Sequence, residues 1–347
     1  MMNSFSERLL ISKAFGFLLL FTLSAFVPNF ASAQSQDFMR LPEMELHDPF
    51  IVAYRNNKTY YLFTSNIPRL SGEQTIGIMV YKSKDLINWE TPKIAFRLPS
   101  NIWANAGAWA PEVHFINNRF HLLLTLHNEG LKLPEKGNLK PYKRATIRAI
   151  SRSLDQEFVV ANDGAPIVRA DFMTLDGTYF VDKDNRRYFI YAREWLDVEN
   201  GEMHAQRIDR NLRPIGEPIV LFRGSDSSET RVQSQASGVH AIVTDGPQLS
   251  RTSDGSLIML WSSWGHDGYI QTLARSSSGK VSGPWLQMPR LLGQDSGHGM
   301  IFTTFEGKKL LIVHRPFKNA RGKIYEIIDK GETIGLGRQL IEIDGGG

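Results

Sequence analysis

A tight-turn signal between two apolar runs returns five times along the chain, and this repeat constrains the fold more than any other feature. A short apolar run precedes each turn and a longer, aromatic run follows it, which is the pattern of a β-hairpin. The five turns are Asn56-Asn57, Asn117-Asn118, Asp184-Asn185, Asp254-Gly255 and Glu306-Gly307. A hairpin that recurs along a chain indicates a repeat architecture.

Each repeat also contains a second hairpin-like stretch, such as IGIMVYKSKDLINWE after the first turn. Two hairpins make a four-stranded antiparallel sheet, and five such sheets around one axis make an all-β, five-bladed β-propeller. No long segment shows sustained 3.6-residue apolar periodicity, so we expect little helix. A β-sandwich or a β-helix is the alternative fold.

The segment 1–33 has the pattern of a signal peptide. Arg8 and Lys13 precede the apolar run AFGFLLLFTLSAFV, and Ala31-Ser32-Ala33 supplies the small residues of a cleavage site. We therefore predict export to the periplasm or the cell exterior, with one propeller domain over 34–347. A transmembrane anchor is the alternative, but the apolar run is short of the roughly 20 residues that span a bilayer.

The charge and cysteine content exclude several classes of partner. The formal net charge is +4 and there is no cysteine, so the fold has no disulfides. The one basic cluster, KLPEKGNLKPYKR at 132–144, contains proline and glycine and is typical of a solvated loop rather than a nucleic-acid stripe. We expect a monomer without nucleic-acid or membrane partners.

Acidic residues recur at one place in the repeat. Counting back seven to nine residues from each of the five turns leads to Asp48, Ala110, Asp176, Asp245 and His298. The innermost strands of a propeller line its central channel, so we expect these residues to face one cavity. An aspartate before Pro or Gly is ordinarily a turn residue, but three carboxylates brought together raise one another's pKa, which is costly without a use for them. Calcium needs six to eight oxygens, usually from sequence neighbours, so a catalytic pocket is the better interpretation.

Two carboxylates in different protonation states, with a water between them, suit inverting glycoside hydrolysis. Aromatic residues should flank such a site because sugars present apolar faces. Trp103 and Trp109 lie beside the second repeat's entrance, and Trp195 and Trp264 follow later hairpins. Each tryptophan can alternatively pack inside a blade.

Five motifs together resemble glycoside hydrolase family 43 over nearly the whole chain after residue 33. They are HDPFIV, WAPEVHF, LDGTYFVDKDNRRYFIYA, TDGPQLSRTSDGSLIMLWSS and GHGMIF. The resemblance implies a five-bladed propeller that hydrolyses arabinose- or xylose-containing polysaccharides with inversion.

The same resemblance implies roles for single residues. By this resemblance, Asp48 matches the family's general base, and Asp176 matches the aspartate that orients the general acid and modulates its pKa. Asp245 occupies the position of the general acid. His298 is similar to the histidine near the channel centre, which in many members helps to hold a calcium ion through water. The chemistry itself needs no cofactor, and we expect His47, beside the base, to contact the sugar.

One position departs from the family pattern. The usual acid is a glutamate, whereas Asp245 is one methylene shorter, which sets its oxygen back by roughly 1–1.5 Å. Glu112, two residues beyond Ala110 and on the same strand face, is the alternative acid or a sugar-binding residue.

Three functional hypotheses remain open from the sequence. The first is an exported α-L-arabinofuranosidase or β-xylosidase-like hydrolase. The second is another five-bladed sugar enzyme, a fructan hydrolase or a glycoside phosphorylase, for which Arg193 and Arg315 are the candidate phosphate-binding residues. The third is a non-catalytic sugar-binding propeller, which the replacement of the family's glutamate by Asp245 makes credible.

Overall fold

Five antiparallel sheets follow one another along the chain, one for each repeat of the hairpin signal. The structure is a computed structural model that describes residues 38–234 and 238–346. The sheets are the blades of a five-bladed β-propeller, which confirms the predicted fold. The predicted signal peptide, 1–33, lies outside the described residues.

The blades are numbered in chain order, and their strands are counted outward from the central channel. The innermost strands are Phe50–Tyr54, Ala106–Ile116, Thr174–Val181, Asp245–Arg251 and Gly297–Thr303. The second strands are Thr59–Ser65, Arg119–Lys132, Arg187–Arg193, Leu257–Gly265 and Lys309–Arg315. The third strands are Gly77–Ser83, Tyr142–Ser151, Glu202–Ile208, Gly268–Ser276 and Arg321–Asp329. The fourth strands are Lys93–Arg97, Val159–Val160, Ile219–Arg223, Trp285–Leu292 and Ile334–Gln339.

The remaining elements are short. Blade one gains the strands Phe38–Met39 and Trp89–Glu90, and a separate two-stranded sheet joins Gln233–Ser234 to His240–Ala241. The helices are Leu41–Glu43, Pro68–Ser71, Asn162–Gly164, Trp195–Val198, Gly224–Asp226 and Ile341–Asp344. Among the described residues, none of these helices is long and apolar enough to cross a membrane.

All five predicted turns join an innermost strand to the second strand of the same blade. The second strands are buried on both faces, because each face packs against a neighbouring blade. In blade three, for example, five consecutive residues from Tyr188 to Ala192 are buried, and they alternate between two apolar clusters. This double burial explains why the run after each turn is continuously apolar instead of alternating.

The ring closes by contacts between the last blade and the first. The Arg55 guanidinium donates hydrogen bonds to the carbonyls of Thr304 and Phe305 at 3.2 and 3.1 Å. The rings of Tyr60 and Phe305 pack with centroids 4.2 Å apart. One apolar cluster runs from blade one into blades two and five, so closure buries a common core.

Four of the five innermost strands carry the same irregularity at the end where they enter the channel. In blades two to five, two residues of the innermost strand lie opposite one residue of its neighbour, which is a β-bulge with one extra residue. In every blade one residue at this place has a positive φ, between 44° and 54°. These left-handed residues are Asp48, Ala110, Asp176, Gly246 and His298.

The amide groups released at the bulges are satisfied by the preceding blade. Asp176 N donates to Thr125 Oγ1 of blade two at 2.9 Å, and His298 N donates to Ser262 Oγ of blade four at 2.8 Å. Gly246 N donates to Asp176 Oδ2 at 3.1 Å. A buried amide without a partner costs about 1–3 kcal/mol. Each of these hydrogen bonds therefore fixes a bulge and joins two blades.

This arrangement predicts the effect of removing one acceptor. Thr125→Val keeps the shape of a fully buried side chain but leaves the Asp176 amide without a hydrogen-bond acceptor. The free energy of unfolding should therefore fall by about 1–3 kcal/mol. Thr174→Val is the matched control, because Thr174 is equally buried and its hydroxyl has no partner. Chemical denaturation of both variants measures the difference, and equal losses would contradict the proposed role of Thr125.

Candidate active site

A pocket of about 550 Å³ opens where the innermost strands enter the channel, and all five blades contribute to its lining. The pocket contains Asp48, Asp176, Asp245 and His298, which the sequence predicted to meet. It also contains three other residues predicted to bind substrate, namely His47, Trp109 and Trp264. Four residues of different blades thus converge because equivalent strand ends point to one axis.

A histidine holds two of the carboxylates together. Nδ1 of His298 lies 3.1 Å from Asp48 Oδ1 and 3.9 Å from Asp176 Oδ2. His314 contacts Asp48 from the other side, with its Nδ1 3.4 Å from Oδ1 and 3.3 Å from the amide nitrogen. Asp48 is therefore surrounded by imidazole groups.

The third carboxylate has a different environment. Asp245 Oδ2 accepts a hydrogen bond of 2.9 Å from the hydroxyl of Tyr269, which is itself buried. Asp176 lies nearby, since its Oδ2 accepts from the amide of Gly246, the residue after Asp245. This hydrogen bond from the Gly246 amide thus connects the carboxyl group of Asp176 to the backbone next to Asp245.

These surroundings separate the three pKa values. Burial alone would raise the pKa of Asp48, but the attraction of His298 and the hydrogen bond with His314 outweigh it and hold the pKa well below its usual value. Burial, with repulsion from Asp48, raises the pKa of Asp176 to about 6. Burial and repulsion from Asp176 raise the pKa of Asp245 to about 8. At neutral pH the pocket therefore holds an ionised Asp48 and a protonated Asp245.

Aromatic side chains form two walls of the pocket. On one side Trp264 packs against Phe317 and Tyr269, with ring centroids 5.0 and 5.4 Å apart. On the other side are Trp109 and Trp195, and both are partly exposed. Flat apolar surfaces on opposite sides of a carboxylate cluster suit the faces of sugar rings.

A buried ion pair in the pocket wall was not predicted. Arg144 and Glu194 form a salt bridge, and the Arg144 guanidinium lies 4.9 Å from the Trp109 ring centroid. Burial raises the pKa of Glu194 to about 6 despite Arg144. The sequence signal was available in YAREWLD, where charged residues directly follow a buried strand.

Three residues predicted to bind substrate are not among the residues that line the pocket. Arg193 pairs with Asp197 at 2.7 Å, one residue before the pocket-lining Glu194. Arg315 donates to the Gln294 side chain at 3.0 Å. Trp103 donates its indole N–H to a backbone carbonyl, Gly164 O, at 2.6 Å, so it has a packing role.

Glu112, the alternative acid, also lies outside the pocket lining. Its Oε2 is 2.8 Å from His114 Nε2, and it borders a separate cavity of about 10 Å³ below His298 and Ala110. A cavity of that size has room for one water. The geometry therefore favours Asp245 over Glu112 as a group that can reach a bound sugar.

The predicted equivalence of the five channel residues is wrong at one position. By bulge register and positive φ, Gly246 is the counterpart of Asp48 and Asp176, whereas Asp245 precedes it and corresponds to His47 and Trp109. Gly246 lies eight residues before its turn, as Asp48 and Asp176 do, whereas Asp245 lies nine residues before it. Asp245 still reaches the same pocket from its neighbouring position.

Comparisons with known proteins agree with this geometry. The sequence model of glycosyl hydrolases family 43 matches residues 42–341. This chain belongs to glycosyl hydrolase family 43. The assignment confirms the resemblance seen in the motifs and makes the protein a glycoside hydrolase by family.

The relatives of this family 43 chain are named for different activities. The chain is 33% identical to a solved endo-arabinase from Bacteroides thetaiotaomicron VPI-5482, with a TM-score of 0.76, covering 86% of this chain and 100% of that one. An endo-1,4-beta-xylanase structure from the same organism has 20% identity and a TM-score of 0.65, covering 88% and 97%, and shows a shared fold. A putative beta-xylosidase of Escherichia coli K12 is 23% identical over 76% of this chain. The chain spans about half of that relative, 48% of its length.

The residues around His298 do not offer the ligand set that calcium prefers. Calcium takes six to eight oxygens, but the oxygens nearest the His298 ring belong to Asp48 and Asp176, and the cavity below has room for one water. His47, Asp48 and His314 form another group of possible metal ligands, but two of the three offer nitrogen. Calcium near His298 stays a prediction.

Gly246 provides a test of the site geometry in this family 43 protein. A Cβ at this residue would lie 2.9 and 3.0 Å from Cδ2 and Nε2 of His298. Gly246→Ala should displace the imidazole from Asp48 and lower kcat by about 10²-fold. Gly307→Ala is the control, because Gly307 also has a positive φ but no atom within 4 Å of the new Cβ. Unchanged kcat in Gly246→Ala would show that the His298 position does not matter.

Proposed function

We propose that this protein is an inverting glycoside hydrolase in which Asp48 is the general base and Asp245 the general acid. The observation that carries the proposal is the convergence, in one pocket, of three aspartates with different environments. Imidazole groups favour the ionised form of Asp48, whereas burial and repulsion from Asp176 favour the protonated form of Asp245. Inverting hydrolysis needs this pair of opposite protonation states.

Each carboxyl group then has one task. The ionised Asp48 takes a proton from a water as its oxygen attacks the anomeric carbon. Asp245 gives its proton to the leaving glycosidic oxygen on the opposite side of the sugar. The negative charge of Asp176 keeps that proton on Asp245 until transfer, and the Tyr269 hydroxyl orients the acid and stabilises the carboxylate that forms.

The proposed substrates are arabinose- or xylose-containing polysaccharides or oligosaccharides, and arabinan-type linkages come first. Support comes from the 33% identity, over its full length, to the solved endo-arabinase. The putative beta-xylosidase, at 23% identity, makes a xylosidase-like activity the second candidate. The aromatic walls at Trp109 and Trp264 give either pentose apolar surfaces to pack against.

A phosphorylase activity has less support in the pocket. Arg144 is the only lysine or arginine that lines the pocket among the described residues, and Glu194 neutralises it. Phosphate would need an unpaired cation beside the scissile bond. A water nucleophile activated by Asp48 fits the same space without one.

Export is proposed on the sequence alone. The charged, apolar and small-residue regions of 1–33 have the order of a signal peptide. An exported enzyme would meet polymers too large to enter a cell. N-terminal sequencing of the protein recovered outside the cytoplasm would test this, with Gln34 as the expected first residue.

The base and the acid should respond differently to the leaving group. Asp48→Asn should lower kcat about 10²–10⁴-fold on every glycoside, because an amide cannot take the proton from water. Asp245→Ala should be as slow on natural substrates, but its deficit should shrink on aryl glycosides with acidic phenols, which leave without a proton. Asp184→Asn, on an exposed turn, is the control. Equal deficits of Asp245→Ala across all leaving groups would reject its role as the acid.

The alkaline limb of the pH profile should report Asp245. We expect kcat/KM to fall as pH rises through about 8, because the free enzyme then loses the acid's proton. Tyr269→Phe should move this limb to higher pH, since the hydroxyl stabilises the ionised carboxylate and thereby lowers the pKa of Asp245. Tyr81→Phe, which removes a buried hydroxyl without a partner, should leave the limb in place. A Tyr269→Phe profile identical to wild type, or shifted to lower pH, would contradict the assignment.

A further inference from the structure

A second polar cavity lies on the opposite side of blades two and three from the catalytic pocket. Its volume is about 320 Å³, and its lining includes Arg119, His121, Arg148 and Arg213. Arg119 begins the second strand of blade two directly after the turn, and Arg213 lies in the turn after the third strand of blade three. Both turns are at the blade ends remote from the bulges, so this basic cavity shares no residue with the catalytic pocket.

The arginines of the basic cavity are not held in close ion pairs. Within the part of the chain that the structure describes, none of Arg119, Arg148 and Arg213 lies within 4.0 Å of a carboxylate oxygen. Arg148 donates a hydrogen bond to the carbonyl of Asn211 at 3.0 Å. The neighbouring carboxylate, Asp209, accepts the backbone amides of Asn211 and Arg213 at 2.7 and 2.9 Å, and its charge attracts Arg213 and Arg148 from a longer distance.

The buried histidine of the cavity, His121, lies beside the same positive charges. His121 is 7% exposed, and its Nδ1 is buried without a hydrogen-bond partner. Burial first, and then repulsion from Arg148, lowers the pKa of its imidazole to about 4. Arg119 also lowers the pKa of this imidazole by charge repulsion. Three arginines beside one neighbouring carboxylate, Asp209, leave an excess of positive charge around the cavity, which an anion would neutralise.

We propose that the basic cavity is a second binding site, separate from the catalytic pocket, for an oxyanion. Guanidinium groups match the planar, bidentate geometry of carboxylate and phosphate oxygens. The oxyanion can be the carboxylate of an acidic sugar in a polysaccharide or a free phosphate. The cavity is large enough for a sugar ring around a carboxylate as well as for a small ion.

The test measures binding of two anions to the intact protein by calorimetry. The probes are inorganic phosphate and a short oligogalacturonate, with a neutral arabino-oligosaccharide as the reference ligand. The variant is Arg119→Gln with Arg213→Gln, since both side chains are exposed and unpaired and their loss should leave the fold intact. Arg207→Gln, an exposed arginine of blade three outside both cavities, is the matched control.

The expected result is at least tenfold weaker binding of the anion in the double variant, because charge-assisted hydrogen bonds are lost. The wild-type affinity should also fall as salt rises. Binding of oligogalacturonate at least as tight as that of phosphate identifies the acidic saccharide as the ligand, and binding of phosphate alone identifies the small ion. The neutral saccharide should bind all variants alike, and hydrolysis of a neutral aryl glycoside should be the same in wild type and double variant.

Two results would overturn the proposal. One is that neither anion binds the wild type at moderate salt. The other is that the double variant binds them as tightly as Arg207→Gln does. Neither outcome affects the proposed hydrolysis, because the basic cavity and the catalytic pocket have no residue in common.

Discussion

The active site depends on the β-bulge at the channel end of the innermost strands, whose released amides bond to the preceding blade. An extra residue interrupts the regular strand alternation in blades two to five, and every blade has a residue with positive φ at this place. Such a conformation costs roughly 1–3 kcal/mol for a residue other than glycine. It persists because the released amides bond to the neighbouring blade, as Asp176 N does to Thr125 and His298 N to Ser262. The same hydrogen bonds position the catalytic groups and hold the ring together.

The ring places chemically similar carboxyl groups in dissimilar surroundings. Asp48 lies between two imidazoles, whereas Asp245 has a buried phenol as its partner and Asp176 as its charged neighbour. Asp176 links the two environments, because its oxygen approaches His298 and also binds the amide after Asp245. One geometry therefore favours ionisation of one aspartate and protonation of another, which is the division of roles that acid–base hydrolysis requires.

The fold and most of the site could be predicted because both follow from repetition. The five turns and the doubly buried second strands are visible as sequence patterns, and they led to the correct blade number and to Asp48, Asp176 and His298. Asp245 was placed one residue out of register, since a carboxylate was expected at the position that Gly246 occupies. The direction of side chains at strand ends could not be predicted from the sequence either. Arg193 was therefore predicted to bind substrate, whereas its neighbour Glu194 lines the pocket. The Arg144–Glu194 pair joins two blades, so the charged residues after a buried strand in YAREWLD indicate Glu194 but not its partner Arg144.

The proposed hydrolysis requires that Asp48 is ionised and Asp245 protonated in the free enzyme at neutral pH. Carbon-13 NMR of protein labelled at the aspartate carboxyl groups measures this directly, with Asp48→Asn and Asp245→Asn samples assigning the two signals. We expect that the Asp245 signal titrates near pH 8 and that the Asp48 signal stays that of a carboxylate throughout the range in which ordinary aspartates titrate. An Asp245 signal that titrates near pH 4, or an Asp48 signal of a protonated acid at pH 7, would contradict it.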